Sequence, residues 1–265
     1  MSRAEEIRQV AIEHHHRVAD RFEAEYAALE NSRFSSAFTY GRAKIDRIVD
    51  QLFRSLSKGA AVLDVGCGTG EHLKRALALG LNAAGVEPAP AMLDAARRGV
   101  PDAKIKEGVA TSLPFGDGEF DAVIMIEVLR YLDRSDIALA LREARRVLRP
   151  GGKLLVTLVN RWALDGFYVH QRLRQLAKRS DFNPTNPFCL FHTPGSAKRL
   201  LRDAGFTNVA TEGRLFGPIR MVYKLNQGIG RRVAQAIEGL DDRLHEAAWM
   251  QRFAGHLIAI GEVPR

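Results

Sequence analysis

Cysteine is scarce in this chain. Cys67 and Cys189 are the only two among 265 residues. Two isolated thiols make neither a disulfide framework nor a metal knuckle, and they suit a reducing compartment. Long apolar runs are missing as well. None approaches the roughly 18–20 residues that cross a bilayer. The charged opening from Met1 to Arg21 lacks the apolar stretch of a secretory signal. A cytoplasmic location without a membrane span is therefore expected. No internal repeat or low-complexity tract interrupts the chain. Apolar residues are plentiful, at 46%, so a buried core is expected and global disorder is not. The length suits one large domain, or a domain with a subdomain.

The formal net charge is +8. It reads either as a solvated basic surface or as a preference for an anionic partner: phosphorylated substrate, nucleic acid or anionic membrane. Arg142, Arg145, Arg146 and Arg149 are expected on one helix, and Arg231-Arg232 lies far downstream. No RNP-like aromatic signature accompanies them, so nucleic acid is not favoured.

Residues 3–30 read as one amphipathic helix, with Ile7, Val10, Ala11, His14, Val18, Phe22 and Tyr26 near a helical period. A second helix is expected over Ala43–Leu56. From Ala60 the pattern turns to short apolar strands separated by helices. Strands are expected at Ala61–Val65, Asn82–Val86, Ala103–Glu107, Phe120–Ile126 and Lys153–Val159. Glu71–Leu79, Pro90–Arg98 and Ser135–Leu148 should be helices, Ser135 the N-cap of the last. Near-continuous apolar strands alternating with helices imply βαβ crossovers and a three-layer α/β sandwich. Pro194–Ala204 reads as helix, Thr207–Gly213 as strand and Phe253–Val263 as the last strand. Between them lie two weakly patterned insertions, at about 160–193 and 215–254. Their length suggests lids over a pocket beyond the carboxyl ends of the strands. The domain division expected is a helical cap over 1–58 and an α/β domain over 59–265.

The turn Gly66-Cys67-Gly68-Thr69-Gly70 joins the first strand to its helix. Glycines there let a ligand touch the main chain, as they also do in dinucleotide sites. Two details separate the cases. The spacing is G-x-G-x-G, one residue short of the dinucleotide fingerprint. Asp64 stands two residues before the first glycine, where a carboxylate would oppose a pyrophosphate but attract an ammonium or sulfonium.

Val62–Gly70 resembles motif I of the class I, seven-strand Rossmann-like S-adenosylmethionine (SAM) methyltransferases. Glu87, in Gly85-Val86-Glu87-Pro88, matches the acid that this family places on the ribose hydroxyls. Glu107–Phe115 resembles the adenine segment, Phe120–Leu129 the fourth strand and its motif, and Val147–Leu154 the entry to the fifth strand. The resemblance covers roughly residues 60–215. It implies a doubly wound, mostly parallel seven-stranded sheet with an antiparallel last strand, and SAM as cofactor. Asp64, Gly66, Cys67, Gly68, Glu87, Pro88, Val109, Ala110 and Glu127 become cofactor contacts. Arg42 would grip the methionine carboxylate, and Tyr26 or Tyr40 would cap the methionine side. Val109 departs from the family, which usually has Asp or Asn after the glycine, so adenine recognition should be weaker. A His common shortly after the fourth strand is absent from Glu127–Tyr131, and no Asn-Pro-Pro-Tyr motif occurs.

In-line methyl transfer depends mainly on proximity and needs a base only for an acceptor that holds a proton. His192, Glu127, Tyr131 and His14 are the candidates for chemistry. Three consecutive histidines on a helix point 100° apart and cannot chelate one metal ion together. His14 lies on the apolar face. Phe182–Phe191, with two prolines, reads as an aromatic lid. The expected function is methylation of a small or medium-sized acceptor at oxygen, nitrogen or carbon. That acceptor is anionic, lipid-like or sugar-like if the charge serves it. RNA or protein methylation, and a SAM-binding protein without transferase activity, are the alternatives.

Overall fold

The computed structural model describes residues 2–32, 34–164, 168, 188–244, 247 and 249–265. Helix α1 (Arg3–Arg17) begins in a capping box, with the Ser2 hydroxyl accepting from the Glu5 N–H and the Glu5 carboxylate from the Ser2 N–H. It stops at Val18, and α2 (Ala19–Asn31) follows. The single helix expected over 3–30 is thus two. Ala19 turns in against Ala89 and Met92 at the break, so packing overrides a periodicity that runs through it. Helix α3 (Ala37–Arg54) starts six residues before its expected Ala43, because Ser36 and Thr39 cap it.

The alternating part then unfolds as β1 (Ala61–Val65), α4 (Glu71–Ala78), β2 (Asn82–Glu87), α5 (Pro90–Gly99), β3 (Lys104–Glu107) and β4 (Phe120–Met125). Helix α6 (Arg134–Val147) is capped by Asp133, whose carboxylate accepts from the Asp136 N–H at 2.9 Å, rather than by Ser135. Strand β5 (Leu148–Asn160) takes up Arg149, so that arginine leaves the helix expected to hold it; there it reaches the carboxylate of Asp121. After β5 come β6 (Phe191–His192), α7 (Pro194–Asp203), β7 (Thr207–Phe216), α8 (Ile219–Leu225), α9 (Gln227–Leu244) and β8 (Ala254–Glu262).

The sheet order is β3-β2-β1-β4-β5-β8-β7. The first five strands run parallel, and β8 is antiparallel to both β5 and β7. The seven strands of the expected sheet are present with the last one antiparallel. An eighth, the two-residue β6, pairs beside the end of β5. Too short for periodicity, it had no signal in the sequence. One face of the sheet is covered by α6 and α7 through Ile137, Leu141 and Leu201. The other is covered by α3, α4 and α5 through Val49, Phe53, Leu73 and Ala96. Helix α3 therefore shares the sheet's own core. The segment 160–193 is described only in part, and Phe182–Pro187 of the expected lid lies outside the described residues. The segment 215–254 is largely α8 and α9, held to Tyr40 and Leu215 by Ile219, Tyr223 and Ala234. Among the described residues no helix is long and apolar enough to cross a membrane.

Candidate functional site

Parallel strands end together, and their last residues open onto a cavity of about 320 Å³ roofed by α1, α2 and α3. The polar end is built by contiguous sequence. Asp64 is the fourth residue of β1, Gly66 to Thr69 form the turn that follows, and Glu87 ends β2. The turn is tied down where the N–H groups of Gly66 and Cys67 donate to the carbonyl of Val86, at 2.7 and 3.1 Å. Gly68 has φ +55° and only open space where a Cβ would stand, so its backbone is laid bare to the cavity. Gly70 serves packing: a Cβ there would press on Val100 at 2.8 Å.

Asp64 is buried, and its Oδ1 has no hydrogen-bond partner among the described residues. Arg42 faces the same end of the cavity with its guanidinium over the Tyr26 ring, 5.1 Å from the centroid. Its Nε–H is buried and lacks an acceptor in line, although Asp46 Oδ1 lies 3.0 Å away as an ion pair. A buried carboxylate oxygen without a partner among the described residues and a guanidinium on the same wall suit the ammonium and carboxylate of one ligand, although Arg42 is already paired with Asp46. His72 joins the two sides, with Nδ1 3.5 Å from Asp64 Oδ2 and Nε2 3.1 Å from Asp46 Oδ1.

Glu87 accepts from the N–H of Gly68 through one oxygen and from that of Ala89 through the other, both at 2.9 Å. Each oxygen keeps a second lone pair for a hydroxyl donor. Burial, with a smaller push from Asp64, outweighs those two N–H groups and raises its carboxyl to about 7. Pro88, Val109 and Ala110 continue the wall. An ammonium and a carboxylate would suit Asp64 and Arg42, and a diol would suit Glu87; S-adenosylmethionine carries all three. The residues present fit it.

The other end is aromatic and basic. His15, Phe22 and Phe38 come from the roof, Tyr131 from the turn after β4, and Arg8, Arg130 and Arg220 are interleaved with them. The His15 ring stands edge-on to Tyr131, centroids 4.9 Å apart. Burial pulls His15 down to about 4, so it is neutral at pH 7. Its Nδ1 lies 2.8 Å from the Ala11 carbonyl. A carbonyl only accepts, so Nδ1 carries the proton and Nε2 the lone pair.

Of the cofactor residues expected from the sequence, Tyr26, Arg42, Asp64, Gly66, Cys67 and Gly68 all line this cavity, as do Glu87, Pro88, Val109, Ala110 and Glu127. Tyr40 does not: it packs with Leu215 and Ile219. Two candidates for chemistry are displaced. His14 is not on the cavity wall, and its neighbour His15 is. The buried step that matters is Ile7, Ala11, His15 at four-residue spacing, a signal present in the sequence and outvoted by the longer pattern through Val18. His192 sits in β6 beside Asn160, off the cavity wall. Glu127 lines the cavity but is no free base. Burial pushes its carboxyl up, and His256 and Arg130 more than offset this, holding it well below the usual range. His72 and Arg220 were missed altogether, because only tertiary structure brings them to the wall.

The sheet order, with its antiparallel last strand, is that of the α/β methyltransferase fold. Residues 63–156 match the family model described as a methyltransferase domain. A ubiquinone biosynthesis O-methyltransferase of Azorhizobium caulinodans is 29% identical over 176 residues, 63% of this chain and 67% of that protein. A demethylmenaquinone methyltransferase of Renibacterium salmoninarum is 36% identical over 133 residues, 48% of this chain and 55% of that protein. The chain thus spans about two thirds of one of these relatives and about half of the other. Phosphoethanolamine N-methyltransferase 2 of Haemonchus contortus, solved with S-adenosyl-L-methionine, shares the fold with a TM-score of 0.58 at 16% identity, over 84% of this chain and 53% of that one. Residues 63–156 are thus similar to a methyltransferase domain, and the fold is one that SAM-dependent methyltransferases share.

Proposed function

We propose that the protein transfers the methyl group of SAM to a small, flat, largely apolar acceptor with a hydroxyl. The observation that carries this reading is the cavity itself. One space joins the polar end at Asp64 and Glu87 to the aromatic end at His15, Phe22, Phe38 and Tyr131. Relatives named for ubiquinone biosynthesis and for demethylmenaquinone support an acceptor of that shape.

In this reading Asp64 holds the ammonium of the cofactor, Arg42 its carboxylate and Glu87 the ribose, while Val109 and Ala110 flank the adenine. Bound SAM supplies a methyl carbon already activated by its sulfonium. Aromatic walls hold the acceptor in line with that carbon and exclude water, and proximity of this kind supplies much of the rate. His15 Nε2 takes the hydroxyl proton as the oxygen becomes nucleophilic. Helices α1 and α2, within the 1–58 cap, roof the cavity and help to keep water from it. The two free thiols support a cytoplasmic setting.

Thermal-shift titrations with SAM, its demethylated product and NAD, followed by labelled methyl transfer to a catechol and to a primary amine, test the reading. Stabilisation by SAM and its product, with label in the catechol, is expected. Stabilisation by NAD alone would overturn the cofactor, and label in the amine alone would overturn the acceptor.

A further inference from the structure

We propose that the corner between α8 and α9 docks the protein on an anionic lipid bilayer. From Gly213 to Ile237 the chain has no acidic residue, yet it holds Arg214, Arg220, Lys224, Arg231 and Arg232. Arg214 is buried and spent on Glu212. Lys224, Arg231 and Arg232 are exposed, and no ion pair joins them to an acid among the described residues. In the same corner Met221 is 51% exposed, Leu225 84% and Ile229 55%. Met221 and Leu225 are four apart on α8 and share a face. Ile229 follows across the Asn226 bend, where its N–H donates to the Asn226 side chain at 3.0 Å. Large aliphatic side chains left in water beside unpaired cations match the two-part surface of a bilayer with anionic headgroups.

The rest of this region is firmly anchored. Ile219 and Tyr223 fill the core beneath α8, and Tyr223 donates its hydroxyl proton to the carbonyl of Phe34 at 2.9 Å. The acidic end of α9 is used inside the molecule: Asp242 pairs with Lys44 at 2.7 Å and with Arg47 at 2.8 Å, and Glu238 pairs with Arg47 at 2.7 Å. That division leaves the basic, apolar end of α9 outward. Arg231 and Arg232 stand near the positive end of the helix dipole and gain nothing from it, so their sign does not serve the helix. A nucleic acid would use the cations but not the aliphatic side chains. It would also want exposed aromatics to stack on, and Tyr223, the aromatic of α8, is buried.

The corner also continues into the site. Arg220, one residue before Met221, lines the cavity. A bilayer seated on the outer face of α8 would therefore put the cavity beside the interface where apolar acceptors partition. The docking surface goes beyond the proposed transfer, and its assay contains neither cofactor nor acceptor, so either reading can fail alone.

Flotation of the whole protein with phosphatidylcholine vesicles, with and without phosphatidylglycerol, is the test. Binding is expected only to the vesicles holding phosphatidylglycerol, and it should weaken as salt rises. The double variants Leu225→Glu/Ile229→Glu and Arg231→Glu/Arg232→Glu should each lose about tenfold or more in vesicle affinity, with SAM affinity and melting midpoint unchanged. No binding to either vesicle, equal binding to both, or unchanged binding by both variants would overturn the proposal. Tighter binding to polyuridylate than to vesicles, or self-association abolished by the same substitutions, would overturn it in favour of a nucleic-acid or subunit interface.

Discussion

His256 on β8 places its Nε2 3.2 Å from Oε1 of Glu127, which stands just past β4. Glu127 has φ 61°, a left-handed backbone that side-chain-bearing residues seldom adopt. Its carboxylate also meets Arg130 at 2.7 Å and the Thr157 hydroxyl at 3.1 Å, and its N–H donates to that hydroxyl oxygen at 2.7 Å. Neighbours from β5, β8 and the turn after β4 thus hold one strained residue on the cavity wall, and strain maintained in this way points to function.

If that arrangement serves cofactor binding, His256→Ala should weaken SAM about tenfold. His256→Gln, which keeps a donor, should retain affinity within a few-fold. Calorimetric titration of both variants decides the matter. Wild-type affinity in His256→Ala would mean that Arg130 and Thr157 suffice to position Glu127.

Asp64 offers a buried oxygen without a partner among the described residues, so its charge is available to a ligand ammonium. Asp64→Asn keeps the shape and removes the charge. SAM affinity should fall by about ten- to a hundredfold, as for a charge-assisted hydrogen bond worth roughly 1.5–3 kcal/mol. An analogue of SAM lacking the ammonium should bind the variant and the wild type alike. A wild type that does not prefer SAM over the analogue would remove Asp64 from the site.

Glu87 carries the pH dependence. Its carboxyl rises from 4.5 to about 7 through burial, so the ligand-free fold gains from the protonated form. That gain is complete below about pH 4.5 and is lost as pH rises through 7. Ribose hydroxyls donate, so the cofactor prefers the ionised form. SAM affinity should therefore drop as pH falls below 7, and binding near pH 6 should release a proton. Titrations in buffers of different ionisation heat measure that release, and Glu87→Gln should abolish it while weakening affinity at every pH.

His15 is the roof residue whose removal should touch chemistry and little else. His15→Phe keeps an aromatic wall beside Tyr131 but removes the Nε2 lone pair. For a hydroxyl acceptor, kcat should fall by about a hundredfold, within the range typical of a lost general base, with the KM for SAM unchanged. Because burial lowers His15 from 6.5 to about 4, its part in stability is present above 6.5 and is lost as pH falls through 4. An undiminished kcat would assign the proton transfer elsewhere.

Much of the polar end of the site was legible in the sequence, for a local reason. Asp64, Gly66, Gly68 and Glu87 lie within one strand–turn–helix–strand unit, where short-range spacing already dictates which way each group faces. The β1-to-β5 alternation was readable on similar grounds, since β1, β2 and β4 are short, largely apolar, buried runs; β3 (Lys104–Glu107), charged and at the sheet edge, gave the weakest signal. Boundaries slipped where a competing local bond won, as when Asp133 took the cap from Ser135.

The acceptor end was a matter for tertiary structure. Consecutive helical residues differ by 100° in direction, so the packing of α1 against α5 and the turn after β4 decided that His15 and not His14 reaches the wall. His256 meets Glu127 because β8 enters the sheet antiparallel beside β5, more than a hundred residues downstream of β4. His192 is drawn off to pair beside Asn160. Sequence alone marked Asp64, the glycine turn and Glu87, because one strand–turn–helix–strand unit builds them, whereas Tyr26, Arg42 and His72 reach that end only through packing. The groups at the aromatic end come from α1, α2, α3, the turn after β4 and α8, and only their packing around a shared cavity decided which of them meet.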